Sequence, residues 1–198
     1  MQVELLVVKT QPDETDLLAA QRAIVASAAR QHARHLLWHE VSRRPSATVL
    51  EYLIACDQPV AGALYKDTYQ QGYYCVWEFD AVSGRHQHMP YLRINTIRRP
   101  TRVDAIGFGF TKVRTDLFEA VPLRATPGCA SDTHFCLGLR ERDVPIHACP
   151  VFVKNVKIDD EAAALRTWRR RLLLANTSTS GRMGRAYELA LEFWRPGY

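Results

Sequence analysis

Residues 21–65 read QRAIVASAARQHARHLLWHEVSRRPSATVLEYLIACDQPVAGALY, and their reading decides the fold. Gln21, Ile24, Val25, Ala28 and Ala29 continue a helical spacing that starts at Leu17. Pro12-Asp13-Glu14 supplies the proline and acids of a helix start, so a helix is predicted from there to about Arg34. Leu36 to Val41 is an apolar run of strand length, broken by Ser42-Arg43-Arg44-Pro45. Ser46 then precedes Val49, Leu50, Leu53 and Ile54, the pattern of a short helix with a serine cap. After the turn at Asp57-Gln58-Pro59, Val60 to Tyr65 is a further strand. With the β-branched run Val3 to Val8 in front, the order is strand, helix, strand, helix, strand. That order predicts an α/β fold with a central mixed, mainly parallel sheet and helices packed on it. Ligands in such sheets bind beyond the carboxyl ends of the strands, which directs attention to Lys9-Thr10, His39 to Arg44, Tyr65 to Asp67 and the region of Asp132.

The rest of the chain fits one domain over residues 1–198. Residues 66–102 are aromatic, with turn signals at Gln71-Gly72 and Ser83-Gly84, and read as β-hairpins or a long ordered loop. Val103 to Phe110 returns to strand character, and a short helix is expected from Thr115 or Asp116 through Val121. Ser131 is the expected cap of a helix to about Arg142, followed by strands over Ile146 to Cys149 and Val151 to Val156. Two C-terminal helices, about Asp159 to Ala175 and Arg182 to Trp194, are expected to pack on this domain.

Of the 198 residues, 47% are apolar and 24% charged, ordinary values for a soluble globular domain. No apolar run approaches the ~20 residues that cross a bilayer, and MQVELLVV turns polar too soon for a signal peptide or anchor. Five scattered cysteines do not form a disulfide framework and point to a reducing, cytoplasmic setting. The net charge of +5 favours anionic partners, and the basic residues cluster at Arg43-Arg44, Arg98-Arg99-Arg102, Lys112-Arg114 and Arg166 to Arg171. P-loop, helix-opening G-x-G-x-x-G and G-x-S-x-G motifs are absent from the sequence.

Three segments then matter together: residues 21–65, VDAIGFGFTKVRTDLFEAV at 103–121, and SDTHFCLGLRERDVPIHACPVFVKNVK at 131–157. In this order and spacing they resemble the GT-A fold glycosyltransferases that use nucleotide-sugar donors, particularly the short, family-two-like kind. The first is similar to a strand ending in Asp-x-Asp, with Glu40 and Ser42 at the two acid positions, or Trp38 and Glu40 in the alternative register. The second is similar to the Gly-x-Gly strand on the acceptor side, here Gly107 and Gly109. The third resembles the Glu-Asp helix that carries the catalytic base, with Ser131 for the glutamate and Asp132 kept. Arg22-Ala23 stands where the family has Arg-Asn, and Asn155 or Val156 where a histidine is common.

The resemblance implies transfer of a sugar from a nucleotide-sugar donor to a hydroxyl acceptor, inverting or retaining. Asp132 would be the general base, and Glu40 with Ser42 would hold Mn²⁺ or Mg²⁺ or the donor itself. Arg22, Arg43 and Arg44 would neutralise the donor phosphates, with cationic side chains partly or wholly replacing the metal. Gly107, Gly109 and Trp77 would face the acceptor, which the basic balance allows to be a polyanion such as modified DNA. Read as ordinary structure, Asp132 assists a helix cap, Glu40 pairs with Arg43, and the two glycines serve sheet packing. Two other functions fit the same residues: a nucleotide- or sugar-binding relative without catalysis, and a nucleic-acid-associated protein. Cys129, His134, Cys136, His147 and Cys149 also offer zinc ligands within a short span, though not at the C-x2-C spacing of structural zinc sites.

Overall fold

The structure is a computed structural model, and it describes residues 3–10, 17–40, 42–67, 72–83, 85–125 and 129–155. The helix start at Pro12-Asp13-Glu14 and both C-terminal helices expected over 159–194 lie outside the described residues.

Val3–Thr10 (β1) is followed by the helix Leu17–Arg30 (α1), which stops short of the expected Arg34. His32 takes a left-handed φ of 51° and its N–H returns to the Ala29 carbonyl, closing the last turn. The chain is then extended from Ala33 to Glu40 (β2), three residues earlier than the apolar run suggested. Leu36 and Trp38 enter one core and Leu37 the other, so β2 is covered on both faces. Each of these side chains stabilises the fold by about 1.5–3 kcal/mol through burial.

Arg43–Arg44 (β3) is a two-residue strand, and Ala47–Ala55 (α2) has the expected cap, Ser46 Oγ accepting from the Val49 N–H at 3.3 Å. Val60–Leu64 (β4) is buried along its whole length. The aromatic stretch forms the hairpin Val76–Asp80 (β5) and Arg85–His88 (β6), then a single turn of helix, Tyr91–Ile94 (α3). The one strand expected over 103–110 is instead three pieces: Thr101–Val103 (β7), Ala105–Ile106 (β8) and Phe110–Arg114 (β9). The Gly107-Phe108-Gly109 turn lies between the last two. Leu117–Ala120 (α4) and Ser131–Arg140 (α5) follow. The two expected strands after α5 are one, Ile146–Phe152 (β10), whose register shifts across Pro150; Lys154–Asn155 (β11) then pairs with β3.

The main sheet has the order β1-β2-β9-β4-β10-β7. β1 with β2 and β4 with β10 are parallel; β2 with β9, β9 with β4 and β10 with β7 are antiparallel. The sheet is therefore mixed, but not mainly parallel in its pairings. Four strands run the same way, and β9 is inserted between β2 and β4 in the opposite sense. Local sequence order does not reveal such an insertion. One consequence positions the site: the carboxyl ends of β1, β2, β4 and β10 share one edge with the amino end of β9. α1 and α5 pack on one face through Ala28, Phe135 and Leu139, while α2 packs on the other through Val49, Leu50 and Leu53. A separate three-stranded sheet, β6-β5-β8, delivers the chain to Gly107.

Candidate functional site

β2 ends in Glu40, whose N–H donates to the Gly109 carbonyl at 2.8 Å. The chain reverses at the buried Ser42 and enters β3, where strand alternation turns Arg43 inward and Arg44 outward. Arg43 donates from Nη2 to Glu40 Oε2 at 3.1 Å, and from Nη1 to the Lys66 carbonyl at 3.2 Å and to Asn155 Oδ1. Its guanidinium lies over the Tyr65 ring, 4.4 Å from the centroid. Ser42 Oγ donates to Glu40 Oε1, so both carboxylate oxygens are engaged. The ion pair is enclosed: the side chains are 4% exposed for Arg43 and 16% for Glu40.

Asp132 stands in the first turn of α5. Ala130, not the expected Ser131, is the N-cap residue, and Ser131 Oγ instead donates to Gln21 Oε1 of α1 at 2.6 Å. That bond ties the start of α5 to α1 in a buried setting. Asp132 Oδ2 accepts from the Phe108 N–H at 3.2 Å, and Oδ1 accepts from the Thr133 N–H at 2.7 Å. Among the described residues no cation pairs with it. Burial raises its pKa, while the hydrogen bonds from Thr133 and Phe108 pull the other way.

The Gly107-Phe108-Gly109 turn joins these two halves, with the Phe108 N–H on Asp132 and the Gly109 carbonyl taking the Glu40 N–H. Behind it stands Tyr65, the residue after β4, whose hydroxyl accepts from the Gly109 N–H at 2.7 Å. A Cβ at Gly107 would meet Tyr65 Oη at 2.1 Å, and one at Gly109 would meet its Cζ at 2.5 Å. The room the glycines leave on that side is thus filled by a phenol. Burial drives the Tyr65 pKa well up, with Asp132 and Glu40 adding to the effect and Arg43 opposing it. Both carboxylates therefore act on one ring, from the same edge of the sheet.

The remaining expected site residues are dispersed. Arg44 is exposed on β3. Arg22 lies on the outer side of α1 and donates from Nε to the Leu123 carbonyl at 3.0 Å. Trp77 is half-buried in β5, its ring centroid 5.1 Å from that of His88 and its carbonyl taking the Asp104 N–H. His86 and His88 sit on β6 against Phe79 and Trp77. The zinc reading is not supported by placement: Cys136 is buried in the core that α5 covers, and Cys149 in the core that α2 covers, so the sheet stands between them.

Mn²⁺ or Mg²⁺ does not suit the Glu40 cluster as arranged. Hard cations want several free oxygens, and here one carboxylate is already engaged by a hydroxyl and a guanidinium. A cation would have to displace Arg43 into solvent from a nearly closed position.

Sequence reasoning singled out Glu40, Ser42, Arg43 and Asp132, but not Gln21, the Asn155 contact to Arg43, or the Tyr65 support. Tyr65 was visible as the end of an expected strand, not as the support of the glycine turn. The signal for its role was the joint presence of a tyrosine at a strand end and a Gly-x-Gly elsewhere, connected by the antiparallel β4–β9 contact and by backbone bonds through Cys75.

No protein-family model matches the chain, and no curated protein matches it. Among solved structures it is similar to the crystal structure of A197 from STIV, with a TM-score of 0.50 and 13% identity. The match covers 79% of this chain and 86% of that one, and it speaks for a shared fold alone.

Proposed function

We propose that the chain transfers a sugar from a nucleotide-sugar donor to a hydroxyl acceptor at the edge where Glu40 and Asp132 meet, on a GT-A-like α/β domain. One observation supports this most: a single glycine turn bonds the Asp132 carboxylate and the Glu40 backbone N–H, and among the described residues Asp132 has no cation paired with it. Asp132 is the base. It takes the acceptor hydroxyl proton as that oxygen bonds to the anomeric carbon, and the bond from that carbon to the donor phosphate breaks with its electron pair leaving on the nucleoside diphosphate. Burial makes Asp132 a stronger base than an exposed aspartate, and its backbone donors hold the carboxylate in one orientation.

Arg43 is committed to Glu40, so its part is to position that carboxylate rather than to meet phosphate. Arg44, exposed on the adjacent position, is the arginine of β3 left for the leaving diphosphate. Positive charge thus comes from side chains rather than from a cation at Glu40. Gly107, Gly109 and Trp77 then contribute to the acceptor side through the turn and the small sheet that carries it.

The reading is tested by thermal shift with a panel of nucleoside diphosphates, in Mn²⁺ and in EDTA. A ligand that binds only the native state raises the melting temperature by mass action, so at least one diphosphate is expected to stabilise the protein in EDTA. Stabilisation that appears strictly with Mn²⁺ would overturn the side-chain neutralisation. No stabilisation under either condition would overturn the donor itself. Stabilisation without any turnover of the matching sugar donor would identify a binding protein that has lost its chemistry.

A further inference from the structure

Beyond β10 the chain carries exposed Phe152, buried Val153 and exposed Lys154, so Phe152 and Lys154 project on one side of an extended segment. Lys154 lies directly opposite Arg44 in the β11–β3 ladder, and Arg44 is also exposed. Like charges placed across a ladder repel, which costs stability unless an anion lies between them. Neither has an acidic partner among the described residues.

A third exposed cation lies one segment away. Lys66, exposed, is bridged across an antiparallel pair to Tyr74. The Tyr74 ring meets Phe152 edge-on at 6.0 Å and stacks near Tyr91 at 6.2 Å. Tyr91 is 56% exposed and Phe152 49%. The carboxylates of this edge, Glu40, Asp67 and Asp132, are half-buried, whereas Arg44, Lys66 and Lys154 reach solvent. Arg44 and Lys154 thus face each other across one ladder, Lys66 faces Tyr74 across another, and Tyr74 touches both Phe152 and Tyr91.

We propose that this face binds single-stranded nucleic acid, with Arg44, Lys66 and Lys154 on phosphates and Tyr74, Tyr91 and Phe152 stacking on unpaired bases. A protein partner would call for an apolar centre with charges confined to its rim; here exposed Lys66 stands directly opposite Tyr74 and exposed Lys154 two residues from Phe152. A duplex hides the faces of its bases, so it satisfies the cations and leaves the rings idle. Single strands satisfy both, through backbone tracking and sequence-tolerant stacking. The inference is independent of sugar transfer, and Arg44, which both would use, is left intact in its test.

Fluorescence anisotropy of the full chain with a labelled oligothymidylate of about 20 nucleotides, beginning at about 50 mM salt, decides it. Binding is expected to fall linearly with salt on logarithmic axes. Lys66→Glu with Lys154→Glu should weaken it at least tenfold and flatten the salt dependence. Tyr91→Ala with Phe152→Ala should weaken it roughly tenfold with the salt slope unchanged. Far-ultraviolet melting of each variant confirms that the exposed substitutions leave the fold intact, and Tyr91→Ala alone serves if the double variant melts early. No binding at the lowest salt overturns the proposal. So does equal affinity for duplex DNA or heparin combined with an unaffected ring variant, which would make the face a plain anion-attracting surface. Donor stabilisation in the thermal shift experiment should survive both double variants, so that loss of oligonucleotide binding and loss of the donor reading are told apart.

Discussion

Glu40 and Asp132 lie on either side of one glycine turn, yet their surroundings treat them in opposite ways. Glu40 is charge-compensated: a guanidinium and a hydroxyl engage its oxygens, and the guanidinium is itself held by Lys66, Asn155 and the Tyr65 face. Asp132 is half-buried against neutral partners, which hydrogen-bond the carboxylate but bring no formal charge. A carboxylate in the first setting fixes structure, because moving its proton or its partner would strand a charge. One in the second setting is available for proton transfer, because its charge is already costly to hold. On the proposed reading, the contrast separates a positioning acid from the general base.

The largest expected effect breaks the contrast at its active side. Asp132→Asn keeps the size and one of the two acceptor oxygens but abolishes the base. Release of nucleoside diphosphate from the matching sugar donor should fall by about 10²- to 10⁴-fold. Retained turnover in that variant would remove Asp132 from the chemistry and with it the proposed division of labour.

Next in size is the structural side. Arg43→Met leaves Glu40 enclosed without its cation, which should cost about 3–5 kcal/mol in urea unfolding. Adding Glu40→Gln to the same chain removes the stranded charge and should recover most of that loss. A single-variant cost below about 1 kcal/mol would mean that the pair behaves as a solvated surface contact, and the two carboxylates would then no longer differ in kind.

The sequence made a good part of this legible, for a local reason. Strand and helix order from Val3 to Tyr65 came from apolar spacing, and Ser46 capped its helix as its position predicted. Glu40 and Asp132 were singled out by their places at a strand end and a helix start together with the glycosyltransferase resemblance. Three features were hidden, and each is non-local. The insertion of β9 between β2 and β4 depends on pairings far apart in the chain, so the strands read as more parallel than they pair. Ser131 looked like a cap because its type fits one; its hydroxyl was already engaged by Gln21, which no window around residue 131 contains. Arg43 and Arg44 are adjacent and chemically alike, yet a two-residue strand buries one and exposes the other. Alternation predicts that they differ, but the direction is set by β11, more than a hundred positions later.

The smallest expected effect tests the contrast through stability rather than rate. Burial raises the folded-state pKa of Asp132 above its unfolded value, so protonated Asp132 favours the fold. That contribution is fully present below the ordinary aspartate range, near 3.9, and is lost as pH rises through the raised folded value. Asparagine stays neutral throughout. Asp132→Asn should therefore melt close to the parent protein in acid and at a higher temperature than the parent near neutrality, with the gap opening across the interval between the two pKa values. If Asp132→Asn instead melts lower than the parent at neutral pH, the Phe108 and Thr133 donors outweigh burial. Asp132 would then be a stabilising anchor of the turn, held there for the same kind of reason as Glu40.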